Sequence, residues 1–204
     1  MELLIQAGLV TGCTGVLGVV VGGIIQTRAA NKREAARTAE DARYLAVTVS
    51  GLLDDFAGGC ADVMYDNGDE SSERRAAAPA LTLSGLDVNW RSLPPGLLDR
   101  TFAVPRAHKL AMERIEWERW NDPEEGWTER QYQYTLLGML AGDVSKALRT
   151  HVGLPPRTQG LFDVYPLIED QKLKLDGLRE EREKQNAEMH ARLAAGLPKP
   201  PEGF

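Results

Sequence analysis

Between Leu3 and Gln26 the chain carries no charged residue, and twelve of those 24 positions are Leu, Ile or Val. Each such residue favours membrane insertion by roughly 0.3–0.6 kcal/mol, so together they contribute about 4 to 7 kcal/mol before the Gly, Thr and Gln residues are set against them. As a helix rising about 1.5 Å per residue, the stretch is long enough for roughly 30 Å of hydrocarbon. A single transmembrane helix is therefore expected over residues 1–26. A buried helix of a water-soluble core is usually shorter and seldom so free of charge.

Met1-Glu2 supplies no basic residue ahead of the apolar run, so a cleaved signal peptide is not expected. Val10-Thr11-Gly12-Cys13 has the composition of a lipoprotein processing box, which would make Cys13 a lipidated N-terminus. It sits in mid-stretch with no basic flank, and Cys13 reads better as a small lipid-facing residue. No Lys or Arg precedes the segment, whereas Arg28, Lys32, Arg33, Arg37 and Arg43 follow it. That asymmetry predicts a single-pass protein with its C-terminal domain in the cytoplasm, and the preference for Arg over Lys with abundant Ala points to the inner membrane of a bacterium.

The glycines are placed on one side. At 100° per residue from Gly8, the positions Gly12, Gly15, Val19, Gly22 and Gln26 fall within about 40° of one line. The larger residues Leu9, Val10, Val16, Leu17 and Val20 lie elsewhere on the circumference. Gly8-xxx-Gly12 and Gly18-xxx-Gly22 are spacings that let two membrane helices approach closely. Gly8, Gly12, Gly15 and Gly22 are thus the candidate helix–helix interface, and with one helix per chain the expected partner is a second copy.

Beyond the anchor the sequence predicts an all-α protein, the anchor continuing into a bundle of about four helices. Residues 27–65 open on Thr27–Arg43, which has no Gly or Pro to stop the helix. Leu45, Val49, Leu52, Leu53, Phe56, Cys60, Val63 and Met64 then recur at steps of three and four. Gly51, Gly58 and Gly59 weaken that stretch. Residues 66–90, opening on Asp66-Asn67-Gly68-Asp69, read as a long polar loop.

Residues 91–195 hold the remaining helices. The first starts behind Ser92-Leu93-Pro94-Pro95 and is expected to break at Pro105. A second piece should run to Trp120, with Ala107, Leu110, Ala111, Arg114, Ile115 and Trp117 on its apolar side, and stop at Asp122-Pro123. Thr128-Glu129-Arg130-Gln131 reads as a capping box opening the next helix, which Gly153-Leu154-Pro155-Pro156 ends. The last helix starts near Asp163 and turns almost wholly charged from Arg179. Residues 196–204 form a tail.

No signature of chemistry accompanies this framework. His108, His151 and His190 stand in separate segments, so no metal site is expected; His108 reads as a surface residue and His151 as a cation at a helix C-terminus. There is no glycine-rich phosphate loop, Cys-x-x-Cys pair, Gly-x-Ser-x-Gly elbow or His-Glu-x-x-His run. Cys13 and Cys60 lie too far apart on one helix, about 70 Å, for a disulfide. The pairs Asp54-Asp55, Glu124-Glu125 and Glu180-Glu181 read as solvated charge. Trp117, Trp120, Trp127, Tyr132 and Tyr134 form the one aromatic concentration, either a hinge of the bundle or an exposed anchor patch.

Residues 44–204 carry 19 basic and 26 acidic side chains, a net −7 that argues against nucleic acid as a partner. The expectation is a non-enzymatic, membrane-anchored interaction or scaffold protein without cofactor. Its partners would be the bilayer, a second copy and an unidentified protein. The competing expectations are a membrane-disrupting effector of the phage-lysis or abortive-infection type, and an enzyme whose residues do not form a legible motif.

Overall fold

The computed structural model describes residues 2–66, 76–156 and 163–196, except for the side chains of 2–25, 123–125, 194 and 196. The described residues form an all-α bundle of four helices with no strand: α1 (Glu2–Met64), α2 (Pro95–Asn121), α3 (Pro123–His151) and α4 (Val164–Gly196). Among them no helix is long and apolar enough to cross a membrane. The side chains of Leu3–Ile25, on which the anchor expectation rests, lie outside the described residues.

α1 runs unbroken for 63 residues, about 95 Å at 1.5 Å per residue. Gly51, Gly58 and Gly59 do not interrupt it, because the stripe beside them is buried deeply enough to hold the helix. Leu45, Val49, Leu53, Phe56, Cys60 and Val63 are all 2% exposed or less. Burial of each large apolar side chain contributes about 1.5–3 kcal/mol, more than the roughly 0.5–1 kcal/mol a helical glycine costs. Among the described side chains of α1, cover by the bundle begins at Asp41 and Ala42. Gln26 to Glu40 is exposed on every side, a bare stalk some 22 Å long.

α3 is the central helix, packing on α1, α2 and α4. Ser145 meets Ser50 and Asp54 while Gly138 lies against Cys60, so α3 runs antiparallel to α1. Met112 beside Tyr134 and Arg114 beside Glu129 set α2 antiparallel to α3. Tyr165 against Gly142 and Arg179 against Glu129 do the same for α4. α1, α2 and α4 therefore point one way and α3 the other.

Two parallel helices in succession, α1 and α2, require a crossover, and residues 76–92 supply it. This strap leaves the far end at Ala76, whose N–H donates to Asp66. It passes Gly59, where an added Cβ would meet Pro79 at 2.6 Å. It reaches the stalk end at Asn89, whose side chain donates to Asp41 at 2.8 Å. Leu83 and Leu93 are buried in the core, with Leu81, Leu86 and Val88 packed beside them. The described part of the stretch read as a polar loop is thus a packed extended segment, closed by a 3-10 turn at Trp90–Ser92.

Two helix boundaries differ from expectation. Pro105 lies inside a continuous α2 rather than ending it. The ring removes one N–H from the helix, but Val104, Ala111 and Ile115 bury the same face on both sides and hold the two halves in line. α3 begins at Pro123, five residues before Thr128, so Thr128–Gln131 is helix interior and not a cap. Proline suits a first helical position, where its missing N–H costs nothing. The turn is tight because Gly126 lets α3 close on α2: a Cβ there would lie 2.5 Å from the Arg119 backbone.

Candidate functional site

One cleft in the bundle combines apolar walls with converging polar groups. It has a volume of about 750 Å³ and lies where α1, α3 and the start of α4 meet. Leu154, Pro155, Pro156, Pro166 and Met139 supply apolar wall, and Lys146, Arg149, Asp143 and Glu169 supply charge at the rim. The chain past Gly153 is redirected there by a positive φ of 67°, which glycine adopts without strain. Arg149 then fixes it, its Nε donating to the Pro155 carbonyl at 3.1 Å.

Asp54 is the polar centre of this cleft and is buried. Ser145 Oγ donates to its Oδ1 at 2.8 Å, and the Tyr165 hydroxyl donates to the same oxygen at 2.7 Å. The three residues come from α1, α3 and α4, so the carboxylate ties the bundle together. Gly142 makes this possible: an added Cβ would stand 2.2 Å from the Tyr165 ring, which lies flat on the α3 backbone. Asp54 was read from sequence as solvated charge, and that is corrected here. Its neighbour Asp55 is exposed.

Both hydroxyl protons are committed to the carboxylate, and the cleft's described lining contains no histidine. What the arrangement can do is accept or donate hydrogen bonds at a half-apolar surface, a binding geometry. The sequence offered one faint signal for it: Ser50 and Asp54, four residues apart, flank the apolar stripe of α1, and Ser145 interrupts that of α3.

A second polar cluster lies toward the far end. Glu129 is buried and takes Arg114 Nε at 2.6 Å, Arg179 at 3.3 Å and Gln133 Nε2 at 2.7 Å, joining α2, α3 and α4. Arg179 also stacks 4.2 Å over Tyr132. Nearby, Arg130 bridges Asp66 at 3.4 Å and the Ala76 carbonyl at 2.7 Å, pinning the end of α1 to the start of the strap. These residues are structural clasps, and no group of three or more His, Cys, Asp or Glu suited to a metal occurs among the described residues.

His108 is not the surface residue its sequence context suggested. Its ring is wedged between Phe56 (centroids 5.2 Å apart) and Tyr134 (6.1 Å), and its Nε2 is buried without a hydrogen-bond partner. Burial pushes its pKa below the usual histidine value. Burial likewise drives the Cys60 thiol far up, which makes it an inert core residue. His151 and His190 are exposed.

The aromatic concentration divides in two. Tyr134 is core, and its hydroxyl donates to Met112 Sδ at 3.1 Å. Trp117 and Trp120 are 63% and 89% exposed, and Leu110, expected on the apolar side with Trp117, is 64% exposed. Seven and ten residues after Leu110, the two indoles share its outward face of α2. Gly8, Gly12, Gly15 and Gly22 belong to the stretch whose surroundings lie outside the described residues. Comparison of the chain with known protein families, curated proteins and solved structures gives no match.

Proposed function

We propose that this protein is a non-enzymatic, membrane-anchored interaction protein that holds a helical bundle at the cytoplasmic face of a bacterial inner membrane. The observation that carries the reading is the unbroken α1. The charge-free sequence, the bare stalk and the longest core stripe of the bundle belong to one helix. A helix so built transmits position rigidly from bilayer to bundle, without a flexible linker between them.

The exposed indoles support a protein partner over the lipid surface. α2 starts beside the stalk end, where Asn89 bonds Asp41, and runs parallel to α1, so Trp117 and Trp120 stand about 30 Å or more toward the opposite end. Large exposed aromatic side chains are the usual anchors of protein interfaces. Self-association through Gly8, Gly12, Gly15 and Gly22 remains part of the proposal.

Membrane fractionation tests the anchor. The full chain is expected to resist alkaline extraction and to need detergent, whereas a chain starting at Thr27, with the whole core from Ala42 retained, is expected in the soluble fraction. Alkaline release of the full chain would overturn the reading.

A further inference from the structure

We propose that α4 is an arm that swings off a core of α1, α2 and α3, which stays folded without it, and that its opening uncovers Asp54 at the floor of the cleft. The inference does not depend on the anchor reading and adds a moving part to the bundle.

The first ground is where the core lies. Its buried members come from α1, the strap, α2 and α3, and α4 adds only the partly buried Tyr165 at the edge. Of the described side chains of α4, only Ile168 and Leu175 are buried, and Ile168 belongs to a separate small cluster with Ala61 and Met64 of α1. Leu173 and Leu178 are exposed, and residues 183–193 are exposed on every side. An element with so little buried apolar surface opens at a lower free energy than the rest of its fold.

The second ground is how α4 is held. Two polar ties span its packed half: the Tyr165 hydroxyl donates to Asp54 at 2.7 Å, and Arg179 pairs with Glu129 at 3.3 Å. Both can break without stranding a buried charge. Asp54 keeps the Ser145 hydroxyl at 2.8 Å, Glu129 keeps Arg114 and Gln133, and the partly exposed Arg179 returns to water.

Between the ties α4 rests on a bare track of α3. An added Cβ would stand 2.9 Å from Ile168 at Gly138 and 2.2 Å from Tyr165 at Gly142. The nearest atoms at Gly142 all belong to Tyr165, so a methyl group there presses on α4. Tyr165, Pro166 and Glu169 are also the α4 wall of the cleft. Swinging α4 away removes that wall and turns Asp54 and Ser145 toward solvent.

Native-state hydrogen exchange of the full chain in mild detergent tests this. Amides of residues 167–178 should exchange through an opening that leaves residues 45–63 and 137–148 protected. Gly142→Ala should speed exchange in α4 by roughly 10- to 100-fold, and Tyr165→Phe, which adds no atom, by about two- to tenfold, with α1 and α3 unchanged. Ser145→Cys, placed beside Asp54, should be alkylated under native conditions at a rate that Tyr165→Phe raises by the same factor as α4 exchange. Equal protection of α4 and the core in the native chain, or Tyr165→Phe accelerating all three helices together, would overturn the arm. Alkylation at position 145 that follows the core amides would overturn the uncovering of Asp54.

Discussion

At the scale of single residues, the described polar groups that matter are those that burial has forced into specific partnerships. His108 is the sharpest case, because its neutral ring fits between Phe56 and Tyr134 and its protonated ring would hold a half-buried charge there with no hydrogen-bond partner for Nε2. Its folded-state pKa is lowered by burial, so the unfolded chain binds the proton first. Stability from this group is complete well above the unfolded value of about 6.5 and is lost as pH falls through and below it. Denaturant melts at pH 7.5 and 5 should show a larger loss in the native chain than in His108→Phe, and equal losses would refute the assignment.

Glu129 is the second case. Glu129→Ala leaves Arg114 and Arg179 without their shared carboxylate, but both guanidinium groups are partly exposed and can recover water. A destabilisation of about 1–3 kcal/mol is expected, less than for a fully buried pair. Thermal or urea unfolding measures it, and no change would mean that the clasp is ornamental. Neither role was legible in the sequence. Glu129 looked like part of a cap, and His108 followed Pro105 in what read as the start of a new helix. Nothing in a linear pattern reports that two rings from other helices close on one side chain.

At the scale of elements, periodicity alone recovered the core face of α1, since seven of its eight expected stripe residues are buried. It failed where a local breaker was overruled by packing. Pro105 sits inside α2 because the buried face on either side outweighs one lost hydrogen bond, and the strap 76–92 was read with the polar run Asp66–Ser72 ahead of it although Leu81, Leu83, Leu86 and Val88 recur at steps of two and three. The α2–α3 turn depends on a single absent Cβ. Gly126→Ala should destabilise the fold by about 1–3 kcal/mol, because the Arg119 backbone would have to retreat. Gly58→Ala, in open space within α1, should instead stabilise it by about 0.5–1 kcal/mol. Paired chemical melts of the two variants decide between packing and propensity as the controlling effect at each site.

At the scale of the whole molecule, the organisation is a long helix with a bundle mounted on one side of its far half. The all-α class and a bundle of about four helices were readable from the sequence. The cleft itself was not, because Ser145 and Tyr165 lie 91 and 111 residues after the Asp54 they meet. The central claim is mechanical: one rigid rod joins the charge-free segment to the bundle. Spin labels at Thr14→Cys and Lys32→Cys, five turns apart on a side away from the glycines, measure it directly in the full chain with Cys13→Ser. The chain is reconstituted in lipid bilayers and diluted with unlabelled copies. A single narrow distance distribution near 27 Å is expected for an unbroken helix. A broad or much shorter distribution, or a chain that will not enter the bilayer, would contradict the account.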